Sequence, residues 1–261
     1  MVRFDVCGGK LSSAVLSGEL LDLILLSLVA LFTSAISGTF GLGGGVILLL
    51  VMPGLVPISA VIPVHAYVQF FSNASRVAFD LHHIAWHIIL PFTCGSIVGA
   101  LLGAQWADWV SLDMLPLFAG LLILVVTWVP IGSPRLTGRS AFVVLGFYQT
   151  GLGMLAGGTG PLGAAVLSQH SQQRDWLVVN TGLYMMINHG VRVIAFSLLG
   201  VAFAAWWQVI VAMSAGSVAG SWLGTLLRKR VPPANFFAIF RWVITLLALR
   251  MVWIAIYEGV L

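Results

Sequence analysis

The chain has 261 residues, 60% of them hydrophobic and only 8% charged, with a net charge of +4. A soluble domain carries about 25% charged residues, so the composition excludes one and implies a polytopic membrane protein. The small positive balance belongs to membrane orientation rather than to a nucleic-acid partner, and two cysteines, Cys7 and Cys94, are too few for a disulfide framework, a redox pair or a thiolate metal site.

Residues 1–19 read as an N-terminal tail. Glu19 and Asp22 interrupt the apolar run that follows, with no clear cleavage site, so the first span is expected to be retained rather than removed as a signal peptide. Apolar runs of about 20 residues, enough to cross roughly 30 Å of hydrocarbon, fall at Leu20–Ser37, Ile58–Phe79, Ile84–Ala107, Leu112–Ile131, Ala141–Ala156, Leu177–Leu199, Val201–Leu227 and Phe236–Tyr257. The first and fifth each run into a glycine break, Gly41-Leu42-Gly43-Gly44-Gly45 and Gly157-Gly158-Thr159-Gly160-Pro161, followed by a short apolar tail. Lipid offers no water to loosened amides, so such breaks are expected to face protein, a cavity or a ligand.

The halves of the chain repeat. Gly95-Ser96-Ile97-Val98-Gly99 returns as Gly216-Ser217-Val218-Ala219-Gly220, and Asn73-Ala74-Ser75-Arg76-Val77 resembles His189-Gly190-Val191-Arg192-Val193. The Arg76-to-Arg192 offset also lays Gly41 on Gly157 and Gly44 on Gly160. The expected organisation is repeat 1 over residues 20–131, a cytoplasmic linker over 132–140 and repeat 2 over 141–261. Arg135 and Arg139, then Arg228-Lys229-Arg230, mark cytoplasmic loops, whereas the Asp108–Asp113 loop has no basic residue. Equivalent helices then run in opposite directions, which makes an all-α fold of two inverted repeats, each a glycine-broken hairpin plus three transmembrane helices. Parity makes Leu20 to Pro57 begin and end outside, as a re-entrant hairpin would. A full first span with a short second one also fits the length of Leu20–Ser37.

Amides freed at the two breaks, with the positive end of a helix dipole, suit an oxyanion at Gly43, Gly44 and Gly45 and at Thr159, Gly160 and Pro161; a kink needed only for close packing is the alternative. His65, Gln69, Asn73 and Arg76 line one face of the second span, and Thr181, Asn188, His189 and Arg192 occupy the equivalent surface of its partner. These stripes serve either a substrate path or interhelical hydrogen bonding. Arg76 and Arg192 are costly inside a bilayer and either meet substrate or snorkel to the interface. The paired Gly-xxx-Gly series reads as close helix packing, and Arg241 and Arg250 as structural or headgroup contacts. His83 and His87 have metal-like spacing but no carboxylate or thiolate to complete a site, so they read as interfacial anchors. No catalytic constellation, metal site or cofactor signature is expected.

Taken in order, Gly41-Leu42-Gly43-Gly44-Gly45, Ser72-Asn73-Ala74-Ser75-Arg76-Val77, Gly158-Thr159-Gly160-Pro161-Leu162 and His189-Gly190-Val191-Arg192 resemble the TauE/SafE sulfite exporter family, from about Leu20 to Tyr257. Arg192 stands where that resemblance leads one to expect lysine, which keeps the charge and changes the donor geometry. The resemblance implies outward transport of a small sulfur-containing oxyanion such as sulfite, thiosulfate or an organosulfonate across a bacterial inner membrane, with a homodimer as a possible assembly. Channel flux and a non-transporting assembly role stay open as alternatives. Anion export down an inside-negative potential needs no coupled ion; should protons couple, His65 and His189 are the titratable candidates.

Overall fold

The computed structural model describes residues 16–107, 115–129, 138–167, 170–171, 173–232 and 236–259. The tail before residue 16, most of the linker with Arg135, and the Asp108–Asp113 loop lie outside the described residues. Within them the chain forms α1 (Leu16–Phe40), α2 (Gly44–Val51), α3 (Ile58–Ala78), α4 (Trp86–Ala107), α5 (Leu115–Trp128), α6 (Arg139–Ala156), α7 (Gly160–Leu167), α8 (Arg174–Leu198), α9 (Trp207–Arg228) and α10 (Phe236–Gly259). Short 3₁₀ turns at Leu81–His83 and Phe203–Trp206 lead into α4 and α9. The segments Leu20–Phe40, Trp86–Gln105 and Phe203–Arg228 are long and apolar enough to cross a membrane.

The long helices stand where the apolar runs predict them, and their interiors explain why. Small residues let backbones meet. Along α9, Gly216 lies on the Ser27 carbonyl, Gly220 on that of Leu31 and Gly224 on that of Ala35, so α1 and α9 run in parallel contact. Along α4, Gly95, Gly99 and Gly103 meet the Val143, Phe147 and Gly151 carbonyls of α6 in the same parallel sense. A Cβ at most of these glycines would enter a neighbouring carbonyl, so the two Gly-xxx-Gly series are crossing faces, as their spacing predicts. Helices α3 and α8 cross in opposite senses, with Gly182 against Asn73 and Gly190 against Phe70.

The first break makes a hairpin. α2 folds back on α1, so that Gly44 sits against the Thr33 carbonyl with its amide donating to Ser37 Oγ at 3.0 Å. α2 is apolar all round, and its Leu48, Leu49 and Leu50 are fully buried, as a helix enclosed by other helices requires. α1 itself has 25 residues, about 37 Å at 1.5 Å per residue, so it is long enough to span as well as to turn back.

The ends of α1, α3, α8 and α9 meet in one charged cluster. Arg228 contacts Asp80 at 2.8 Å and Asp175 at 2.9 Å, and His83 contacts Asp80 at 2.8 Å. Arg174 donates to the Arg228 and Val231 carbonyls and, through its other terminal nitrogen, to the Thr39 carbonyl. In the sequence these are only charges at loop ends. Asp80 and Asp175 serve to hold four helix ends together. His83 acts as the partner of Asp80, and the Arg241 guanidinium lies 5.4 Å from the Trp128 ring centre.

Candidate functional site

Polar side chains on a membrane helix face inward because lipid cannot satisfy them. The α3 stripe follows that rule: His65, Gln69, Asn73 and Arg76 are each no more than 3% exposed. On α8, Thr181, Asn188, His189 and Arg192 are no more than 5% exposed. Because α3 and α8 cross, the His65 and His189 rings meet edge-on with centroids 5.6 Å apart.

Both glycine breaks open onto this crossing. Gly41 and Gly43 adopt φ of +90° and +103°, and Gly157 a φ of +76°, a region that side chains rarely enter. Together the breaks and stripes enclose a cavity of about 40 Å³. At roughly 10–15 Å³ for each water, it holds about three waters or one small anion.

Of the residues expected at a site, Gly43, Gly45, His65, Gln69, Asn73, Arg76, Thr159, Gly160, Thr181 and His189 line the cavity. Four others do not stand in that wall. Gly44 is turned onto α1, and its amide is already held by Ser37, so it is a packing glycine rather than an open donor. Asn188 donates to Thr150 Oγ1 at 3.0 Å, tying α8 to α6. Pro161 is the second residue of α7, and its side chain lies outside the described residues. Arg192 lies behind the wall, where Nη1 is 3.2 Å from the Gly157 carbonyl and 3.3 Å from His189 Nδ1.

Several wall and support residues escaped sequence reasoning. Ser37 and Met185 are such wall residues, and Gly41, Leu42, Val46, Gly157 and Gly158 of the expected breaks complete the lining. Gln149 braces the second break twice, its Nε2 donating to the Thr159 carbonyl at 2.8 Å while Thr159 Oγ1 donates back to the Gln149 carbonyl at 3.1 Å. Tyr184 donates to the Gly160 carbonyl at 2.7 Å. A glutamine midway along the apolar run Ala141–Ala156, eight residues before the glycine break, is the available signal for this brace.

The electrostatics of the site are one-sided. Arg76 Nε and Nη2 and Arg192 Nε and Nη2 are buried without hydrogen-bond partners, and neither arginine forms an ion pair among the described residues. His65 Nε2 donates to the Gly45 carbonyl at 2.8 Å, leaving Nδ1 buried and unpartnered. Arg76 in the wall, Arg192 behind it, and no carboxylate paired to either among the described residues leave the surroundings of the cavity with a positive balance.

Apolar helices that close around a cationic cavity at two broken helices define a membrane protein of the transporter class. The chain belongs to the TauE/SafE sulfite exporter family, whose model, described as Sulfite exporter TauE/SafE, matches residues 26–251. No curated protein and no solved structure matches the chain.

Proposed function

We propose that this protein carries a small sulfur oxyanion outward across a bacterial inner membrane by alternating access. The observation that carries the reading is the pair of buried guanidiniums, Arg76 and Arg192, with no carboxylate paired to either among the described residues. An intramembrane arginine costs several kcal/mol unless its charge is compensated. A bound anion supplies that compensation from within the cavity. The cavity's volume suits an anion of four or five heavy atoms, such as sulfite or thiosulfate, over a longer organosulfonate.

The two halves are inverted repeats in this reading, and the antiparallel crossing of equivalent helices α3 and α8 supports it, as does the exchange by which α9 lies on α1 while α4 lies on α6. The basic run Arg228-Lys229-Arg230 assigns the charged cluster to the cytoplasmic side; α1, whose Thr39 carbonyl joins that cluster, then enters from outside and α2 folds back toward the outer side. Deep burial of His65, Gln69, Asn73, Thr181 and His189 favours an occluding carrier over an open channel. Export of each negative charge gains about 2.3 kcal/mol per 100 mV of inside-negative potential, so no coupled ion is required.

The test is flux of labelled sulfite, thiosulfate and a small sulfonate in proteoliposomes under a set potential. Saturable, potential-sensitive flux with counterflow is expected. Ohmic current would indicate a channel, and absence of flux for every anion would leave the non-transporting assembly role.

A further inference from the structure

We infer that the species this site selects is a singly protonated sulfur oxyanion, hydrogensulfite rather than the sulfite dianion, because His65 presents a bare ring nitrogen that a substrate O–H can satisfy. The inference rests on the transport reading above and narrows it.

The proton positions follow from the partners. His65 Nε2 lies 2.8 Å from the Gly45 carbonyl, which can only accept, so Nε2 carries the hydrogen. Nδ1 of the neutral ring is then a lone pair, buried and unpartnered, on a residue that lines the cavity. His189 has the opposite arrangement. Its Nδ1 is 3.3 Å from Arg192 Nη1, which can only donate, so Nδ1 accepts and Nε2 keeps the hydrogen. The cavity therefore offers N–H groups from His189 and Arg76 and, at His65, a site that repels an oxygen lone pair.

The charged and titratable groups beside His65 are His189, whose ring it meets edge-on, and Arg192, which bonds His189, both on α8. α2, α7 and the two glycine turns contribute none. A second proton on His65 would add a cation close to Arg192, and among the described residues no carboxylate is paired with either buried arginine. A fully deprotonated dianion has only acceptor atoms and would set one of them against Nδ1. A hydrogensulfite ion turns its one O–H to Nδ1 and its remaining oxygens to the donors. A site built to bond a substrate hydroxyl rejects an analogue that lacks it, and the discrimination expected here is roughly tenfold or more.

The experiment is initial efflux of labelled sulfite from wild-type proteoliposomes across a pH series at fixed total sulfite, with the leak of protein-free liposomes subtracted. The rate should follow hydrogensulfite, falling roughly tenfold per pH unit on the alkaline side of its ionisation. Thiosulfate, a dianion at neutral pH, should compete poorly, and a potassium diffusion potential should report one charge moved per substrate. A rate that follows the dianion, or two charges per substrate, overturns the inference while leaving the carrier intact. Flux of no sulfur anion at any pH overturns both. His65→Gln, whose amide can turn either its oxygen or its nitrogen to the substrate, should flatten the preference for hydrogensulfite over thiosulfate; an unchanged preference in that variant counts against the inference. The wild-type pH series decides the matter if the variant fails to reconstitute.

Discussion

The two glycine breaks are built from similar glycine runs and hold themselves in different ways. The first, after α1, combines close backbone packing with two side-chain bonds: positive φ at Gly41 and Gly43, Gly44 pressed on the Thr33 carbonyl with its amide on Ser37 Oγ, and His65 bonded to the Gly45 carbonyl. The second, after α6, is held by side chains: Gln149 across Thr159, Tyr184 on Gly160 and Arg192 on Gly157. The matched arginines part company for the same reason. Arg76 stands in the cavity wall with free donors, whereas Arg192 spends one terminal nitrogen on the second turn and on His189. Sequence equivalence therefore predicts position, and local partners decide role.

The strongest way to break this comparison is to add one methyl group at equivalent places. Gly44→Ala drives a Cβ into the Thr33 backbone, which has nowhere to go, and is expected to cost about 3 kcal/mol or more or to prevent assembly. Gly160→Ala meets nothing nearer than Met185 Cε at 3.8 Å and should stay within about 1 kcal/mol of wild type. Thermal unfolding in detergent, followed by size-exclusion chromatography, separates the two. Equal losses would mean that the breaks are packed alike.

A second contrast lies in the arginines. Arg76→Ala should lower sulfite flux on the order of a hundredfold while leaving the melting temperature unchanged or raised, since it deletes an uncompensated buried cation. Arg192→Ala should lower both flux and stability, because the Gly157 carbonyl and His189 Nδ1 each lose a partner, at about 1–3 kcal/mol apiece. Parallel flux and melting data on both variants test this split, and it fails if Arg76→Ala unfolds as readily as Arg192→Ala.

Smaller effects sharpen the picture. The charged cluster tethers the helix that leads into the first break through the bond from Arg174 to the Thr39 carbonyl. Asp80→Asn leaves Arg228 with the half-exposed Asp175 as its acidic partner and should cost about 1–2 kcal/mol in chemical unfolding, with flux altered more than by any change near Gln149. At the bottom of the scale, Tyr184→Phe and Ser37→Ala each remove one hydrogen bond at a break. Each should cost about 1 kcal/mol, and a melting loss several times larger in either one would reveal an unrecognised anchor.

Much was legible beforehand because membrane physics narrows the choices. A run of about 20 apolar residues must be a helix that satisfies its own backbone, so the long helices fell where hydropathy put them. The α3 stripe was readable from 3.6-residue periodicity, since polar groups cannot face lipid. What escaped were groups whose importance depends on a distant contact. Gln149 is one polar residue in an apolar helix until Thr159 folds back on it, and Asp80 and Asp175 are loop-end charges until Arg228 arrives from about 50 to 150 positions away in the chain.

By itself the sequence determined a helical membrane protein of the TauE/SafE family, the places where its helices break, and the faces that must turn inward. These follow from local chemistry: apolar length, glycine's freedom and helical periodicity. Only the tertiary structure decided that both breaks and both stripes close on one cavity, that Gly44 packs while Gly45 lines, and that Arg76 and Arg192 differ. The crossing of α3 and α8 made those decisions. Which nitrogen of His65 lacks a partner, and which arginine is free, depend on groups brought together from opposite halves of the chain.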